Sequence, residues 1–223
     1  MVTLGPDISK SALIIVDMQN GFIHPSGAMG ISAKAQPEEK IDMDFLSSII
    51  VNVKKLSKAF RETGRPVVYI AHVVKPDYSD AVFPYWRHPR PSGGKWIIEG
   101  TWGAQIIDEL APRQGEHLVV KKGFGGFSHT PLDIILRNLG VNTCVVVGVT
   151  TGVCVSTTIR GGVDHNYRMI IVSDATADLQ REYYEAELKI LARVFADPKT
   201  TDEIIEMLKG MGNPAESDSK VLE

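Results

Sequence analysis

Three kinds of reactive side chain occupy comparable places in this chain of 223 residues. Asp17 follows the apolar run Ser11–Val16, Lys121 and Lys122 follow the apolar stretch 117–120, and Cys154 lies five residues beyond the apolar stretch 142–149. Taken singly, each has an ordinary explanation: a turn-capping aspartate, a solvated lysine pair, a small core cysteine. Taken together they suit one chemistry. A cysteine attacks a carbonyl as thiolate, and its free pKa of about 8.5 must be lowered by positive charge or by a helix N-terminus. Residues 155–165 read as a helix led by Cys154, so both the helix dipole and a lysine are expected to favour the thiolate. An aspartate within reach takes the thiol proton and returns it to the leaving amine. Backbone N–H groups of the loop before the cysteine are placed to hold the developing oxyanion. The sum is acyl transfer to a thiol, followed by hydrolysis.

Those residues need a scaffold that gathers strand ends. Apolar strands are expected at Ser11–Val16 and at 66–71, 117–120, 142–149 and 167–173. Between them, 43–61 has helical spacing and stops at Gly64, while Thr130-Pro131-x-Asp133 opens a helix that ends at Gly140. Residues 182–195 and 201–208 read as two closing helices. The alternation predicts an α/β fold, a three-layer α/β/α sandwich with a mostly parallel, Rossmann-like central sheet. In such sheets ligands sit at the carboxyl ends of the strands, where all three residue types fall. Residues 1–209 read as one domain and 210–223 as a polar tail. The stretch 73–103, with Pro76, Pro84, Pro89, Pro91, Phe83, Tyr85, Trp86, Trp96 and Trp102, breaks the rhythm and reads equally as a lid or pocket wall and as a subunit contact.

Composition excludes several classes. Hydrophobic residues make up 43% and charged residues 23%, ordinary for a globular chain and not for a disordered one. Twenty-four basic against 27 acidic side chains leave a net charge of −3 and no basic stripe, so no nucleic-acid partner is expected. The apolar runs are too short to span a bilayer, residues 1–11 lack a signal-peptide layout, and two cysteines make no disulfide framework. A cytoplasmic protein with no membrane partner is the expectation.

The motifs resemble those of the isochorismatase-like cysteine hydrolases, over roughly residues 11–177. The resemblance rests on Ile15-Val-Asp17-Met-Gln19-Asn20, on Lys121-Lys-Gly-Phe-Gly-Gly-Phe127-Ser-His129-Thr130-Pro131-Leu-Asp133, and on Gly148-Val-Thr-Thr-Gly-Val-Cys154-Val. It implies Cys154 as nucleophile, Asp17 as general base and acid, and Lys121 as electrostatic partner. Strand alternation agrees that only one of the two lysines points into the site. The resemblance also implies a cis peptide at Val149–Thr150, with the N–H groups of Thr150 and Cys154 forming the oxyanion hole.

Within that family the metal-bearing D-x-H pair of the nicotinamidases is absent. Here the segment reads Ala71-His72-Val-Val-Lys75, His72 reads as a satisfied structural residue, and neither metal nor cofactor is expected. The motifs look most like those of the biuret hydrolase, ureidoacrylate amidohydrolase and N-carbamoylsarcosine amidase group. The implied partner is a small ureido or amide substrate, biuret-like, losing ammonia. Maleamate- or nicotinamide-like amides, and an inactive binding member of the fold, are the alternatives. Gln19, Asn20, Lys95 and His129 are candidate polar contacts, with Phe22, Trp102 and Phe127 as candidate walls. Asn20 reads equally as a loop brace, Phe127 as core, and Lys95 as solvated. Cys144 reads as inert core, and Arg160 as paired with Asp174 or facing an acidic substrate. Members of this family are often dimers or tetramers, so a homo-oligomer is expected.

Overall fold

Strand β1 (Ser11–Val16) is buried along its whole length because a neighbour pairs on each edge and helices cover each face. The computed structural model describes residues 7–82 and 97–210. Five further strands, β2 (Val67–His72), β3 (His117–Lys121), β4 (Thr143–Val149), β5 (Arg168–Ala177) and β6 (Asp197–Lys199), complete one sheet in the order β3-β2-β1-β4-β5-β6. Every neighbouring pair is parallel. The chain thus builds outward from β1 to β3, then crosses to the other side of β1 to lay down β4. The strand ends flanking that reversal form the crevice in which α/β proteins bind ligands.

Strand periodicity divides the apolar residues between two faces. Leu13, Ile15, Tyr69, Val145, Val147 and Ile170 face one layer, built by helices α3 (Met43–Ser48), α4 (Ile50–Glu62) and α8 (Thr201–Lys209). Ile14, Val16, Val68, Val119, Val146 and Ile171 face the other, built by α5 (Leu132–Asn138), α6 (Ser156–Asp164) and α7 (Arg181–Val194). Two short helices, α1 (Asn20–Ile23) and α2 (Ala28–Ala35), follow β1. Each fully buried aliphatic side chain in these layers contributes about 1.5–3 kcal/mol. The three-layer α/β/α arrangement is the one expected.

Some boundaries differ. The expected helix 43–61 divides at Ile49, which closes α3 and opens α4, with both Leu46 and Val53 buried on the sheet. The helix after Pro131 starts at Leu132, with Thr130 Oγ1 accepting the Leu132 N–H at 3.2 Å, and Gly140 follows it at φ +67. Strand β5 runs four residues beyond the expected end, because the β4–β5 register shifts between Val146 and Gly148 and pairing resumes at Thr176 and Ala177. The three-residue β6, with Pro198 at its centre, offers no apolar run to find.

Candidate active site

Asp17 is the first residue past β1, and it adopts φ +51, a left-handed conformation that aspartate tolerates better than most side chains. Its N–H donates to the Ile70 carbonyl at 2.9 Å, and its carbonyl accepts from Gln19 at 2.7 Å. Lys121 ends β3 in register with His72 of β2. Cys154 sits in a π-helical turn, Thr151–Val155, that runs straight into α6. The Val149–Thr150 peptide before that turn is cis, as expected.

The turn is held from several sides. Thr150 carbonyl oxygen accepts from the N–H groups of Val153 and Val155, and Gly152 N–H donates to Asp178 Oδ2 at 2.5 Å. Thr176 Oγ1 donates to the Gly148 carbonyl at 2.9 Å and lies 2.9 Å from Thr151 Oγ1. Thr158 Oγ1 donates to the Cys154 carbonyl at 2.7 Å and accepts Gly126 N–H at 2.9 Å, tying the nucleophile turn to the segment after β3. Gly148 makes the approach to β1 possible. Its φ is +113, and a Cβ there would stand 2.0 Å from the Val16 carbonyl oxygen.

These supports converge on one cluster. Lys121 Nζ lies 2.8 Å from Asp17 Oδ2 and 3.3 Å from Cys154 Sγ, and it donates to the Gly123 carbonyl at 3.1 Å. Asp17 and Lys121 have no exposed side-chain surface, and Cys154 is 4% exposed. Lys122 points elsewhere, to Asp80 at 2.8 Å. Burial pushes the Asp17 carboxyl above its ordinary range, with the Lys121 charge opposing. Burial works against the Lys121 ammonium, but Asp17 and Cys154 more than offset it and hold it charged.

The thiol departs from expectation. Burial first, then the Asp17 carboxylate, push the Cys154 thiol up, and Lys121 only partly opposes them. The expected thiolate is therefore corrected to a neutral thiol beside a charged pair. One ion pair is the least costly charge state for three buried groups, since a thiolate would add an unpaired negative charge. The arrangement passes a proton from sulfur to Asp17 during attack instead of holding an anion beforehand.

His72 is the residue that sequence reasoning placed outside the site. It is 1% exposed, and one ring nitrogen, an Asp17 carboxylate oxygen and Cys154 Sγ lie within 4.8 Å of one another. Burial and the Lys121 charge push its pKa down to about 3, so the ring is neutral. Its place just past the apolar stretch 66–71, like that of Lys121 just past 117–120, was the available signal.

The other candidate contacts are distributed as follows. Gln19 Nε2 donates to the carbonyls of His72 and Ala104 at 3.0 and 2.8 Å, and its Oε1 accepts His72 N–H at 2.8 Å. Its amide is committed to holding β2 and the 97–107 segment together. Asn20 Nδ2 donates to the Trp102 carbonyl at 3.1 Å, the bracing alternative. Phe22 is buried in the core. Phe127 is also core, stacked on His165 and packed on Tyr167. Trp102 is half-exposed with its ring edge-on to His24, and His129 is exposed at φ +57. Lys95 lies outside the described residues, as does most of the aromatic part of 73–103. Arg160 pairs with Glu187 at 2.6 Å rather than with Asp174, because α7 lies beside α6 while Asp174 accepts from Thr201 and Asn52. Cys144 is fully buried and free, and burial pushes its thiol up as well.

A doubly covered parallel sheet with a thiol, a carboxylate and an ammonium at its carboxyl edge defines a class of α/β hydrolytic proteins. Comparison with known proteins narrows it. Residues 11–203 match the isochorismatase domain, and the chain belongs to the isochorismatase-like cysteine hydrolase family. A cysteine hydrolase from Pseudomonas syringae pv. phaseolicola is 28% identical, with 92% of this chain and 95% of that one covered at a TM-score of 0.81. N-carbamoylsarcosine amidase from Thermoplasma acidophilum is 30% identical over 86% of this chain and 97% of that one, at a TM-score of 0.69. An isochorismatase-like hydrolase from Alkaliphilus metalliredigens is 28% identical over 89% and 98%, also at 0.69.

Proposed function

We propose that this hydrolase is a cysteine-dependent amidohydrolase that cleaves a C–N bond of a small ureido or carbamoyl compound, biuret-like, and releases ammonia. The observation that carries the reading is the Lys121 ammonium between Asp17 Oδ2 and Cys154 Sγ, at 2.8 and 3.3 Å, in a water-excluded cluster. Cys154 attacks the carbonyl carbon as its proton passes to Asp17. The N–H groups of Thr150 and Cys154 receive the oxyanion. Asp17 returns the proton to the departing nitrogen, and water then releases the thioacyl group from sulfur. Lys121 keeps Asp17 ionised in the resting state and offsets charge as it moves. The likeness to N-carbamoylsarcosine amidase supports the ureido branch.

Ammonia release from biuret, a ureidoacrylate, N-carbamoylsarcosine, maleamate and nicotinamide tests the reading, with Cys154→Ser as control. Turnover of a ureido compound that vanishes in Cys154→Ser supports it. Turnover confined to maleamate or nicotinamide keeps the thiol chemistry and replaces the substrate class. Silence across the panel overturns the substrate proposal.

A further inference from the structure

Helix α7 covers the sheet with one flank and leaves a second apolar stripe outside. Tyr184, Leu188 and Leu191 turn inward, whereas Tyr183, Ile190 and Val194 are 49–68% exposed. With the exposed Ala186 between the first two, their spacing is that of one helical face. Glu187 shares that flank, accepting from Ser156 Oγ at 2.6 Å and pairing with Arg160 at 2.6 Å, so the stripe borders α6 and the nucleophile turn. The same layer also exposes Ile134, Leu139, Val153 and Val163, while the opposite helix layer exposes only Val51 among the described residues. Apolar area gathered on one face marks an association surface.

The charges beside the stripe identify its occupant. Glu182 and Glu185 lie along one edge in the first half of α7, and Lys189 and Arg193 continue that edge in the second half. All four are exposed, and none enters an ion pair among the described residues. When two such helices pack antiparallel about a two-fold axis, like edges come together and each acidic half meets a basic half. A membrane surface would instead favour a basic flank along the whole helix. We propose that α7 is the contact helix of a symmetric dimer of this chain. The stripe Tyr183–Ile190–Val194 packs antiparallel on the same stripe of a second copy, with Glu182 and Glu185 against the partner's Arg193 and the partner's Lys189. Ala186 lets the two helices approach closely.

Sedimentation velocity on the full chain reads association without turnover, so its outcome is separate from that of the ureido reading. The wild type is expected at twice the chain mass. Ile190→Glu is expected to raise the dimer Kd by roughly tenfold or more. Glu182→Lys with Glu185→Lys sets basic halves against basic halves and is expected to weaken association by roughly tenfold or more in low salt. Adding Lys189→Glu and Arg193→Glu to that chain exchanges the two halves, keeps the net charge at −3, and is expected to restore the dimer. All five positions are exposed, so circular dichroism is expected to show an intact fold in every variant. A monomeric wild type overturns the proposal. So does a dimer unaffected by Ile190→Glu and by the double reversal, or a fourfold variant that associates no better than the double one.

Discussion

Lys121 Nζ and Asp17 Oδ2 stand 2.8 Å apart, with no side-chain surface of either exposed to solvent. Lys121 ends β3 and Asp17 follows β1, so β2 lies between the strands that carry them. The pair therefore joins an outer strand of the sheet to its centre. Removing one partner strands the other as a buried charge, which costs about 3–5 kcal/mol. Lys121→Met is expected to lower unfolding free energy by that order and to abolish hydrolysis. Lys121→Met combined with Asp17→Asn should regain much of the stability and none of the activity. Urea titrations of the three variants check this.

The raised Asp17 carboxyl and raised Cys154 thiol each make a measurable rate rise with pH. Asp17 must be ionised to accept the thiol proton, so kcat/KM is expected to climb with an acid limb above the ordinary carboxylate value of about 3.9. Iodoacetamide should modify Cys154 slowly at neutral pH, accelerating roughly tenfold per pH unit as thiolate forms. Fast alkylation that does not change with pH would show a resting thiolate instead. Mass-spectrometric mapping distinguishes Cys154 from Cys144.

His72 couples the site to acid stability. Its folded pKa is depressed to about 3, against about 6.5 in an unfolded chain. Below the unfolded value the unfolded state binds the proton and the folded state does not. Stability is thus fully present above about pH 6.5 and is lost as pH falls towards 3, by up to about 5 kcal/mol for this one group. His72→Gln is expected to flatten the stability–pH curve across that window. Melting temperatures at successive pH values test it.

Gly148 tolerates no side chain. Gly148→Ala sets a Cβ 2.0 Å from the Val16 carbonyl oxygen at a φ of +113. A loss of about 3 kcal/mol or more is expected, together with a fall in kcat beyond the loss of folded protein, since the nucleophile turn starts three residues later.

Gln19 supplies both halves of a backbone-like pair to His72 and a third bond to Ala104. Gln19→Ala removes three hydrogen bonds to the backbone of His72 and Ala104, at a cost of about 1–3 kcal/mol for each group that neither water nor another partner reaches. Because the same bonds fix the segment carrying Trp102, KM is expected to rise in the variant. Gln19→Glu should be worse, replacing a donor with an acceptor that faces two carbonyls.

What was legible in the sequence follows from what strand ends impose. Asp17, Lys121 and Cys154 could be grouped because parallel strands carry their carboxyl ends to one edge, whatever the loops do. The cis peptide came with the family motif around Gly148 and Cys154. His72 was passed over because its type alone has a bland explanation, and only the β2–β3 register sets it opposite Lys121. The thiol's proton affinity was misjudged because a helix start and a lysine are visible in sequence, whereas 4% exposure and an adjacent carboxylate are not. Arg160 had two acidic candidates in view, but the packing of α7 on α6 supplied a third, Glu187. Gln19 read as a polar contact for substrate because its backbone partners lie 53 and 85 residues away.

Among the described residues strand β3 forms one border of the sheet, paired with β2 alone. Border strands detach at lower free energy than central ones. The lysine of the cluster is therefore carried by a part of the molecule that comes away first, while its aspartate and cysteine belong to the last part to open. Warming should then silence the enzyme in a step of its own, with the remaining sheet still intact and the ammonium drawn out into water. Cooling would bring activity back without any refolding of the body of the protein.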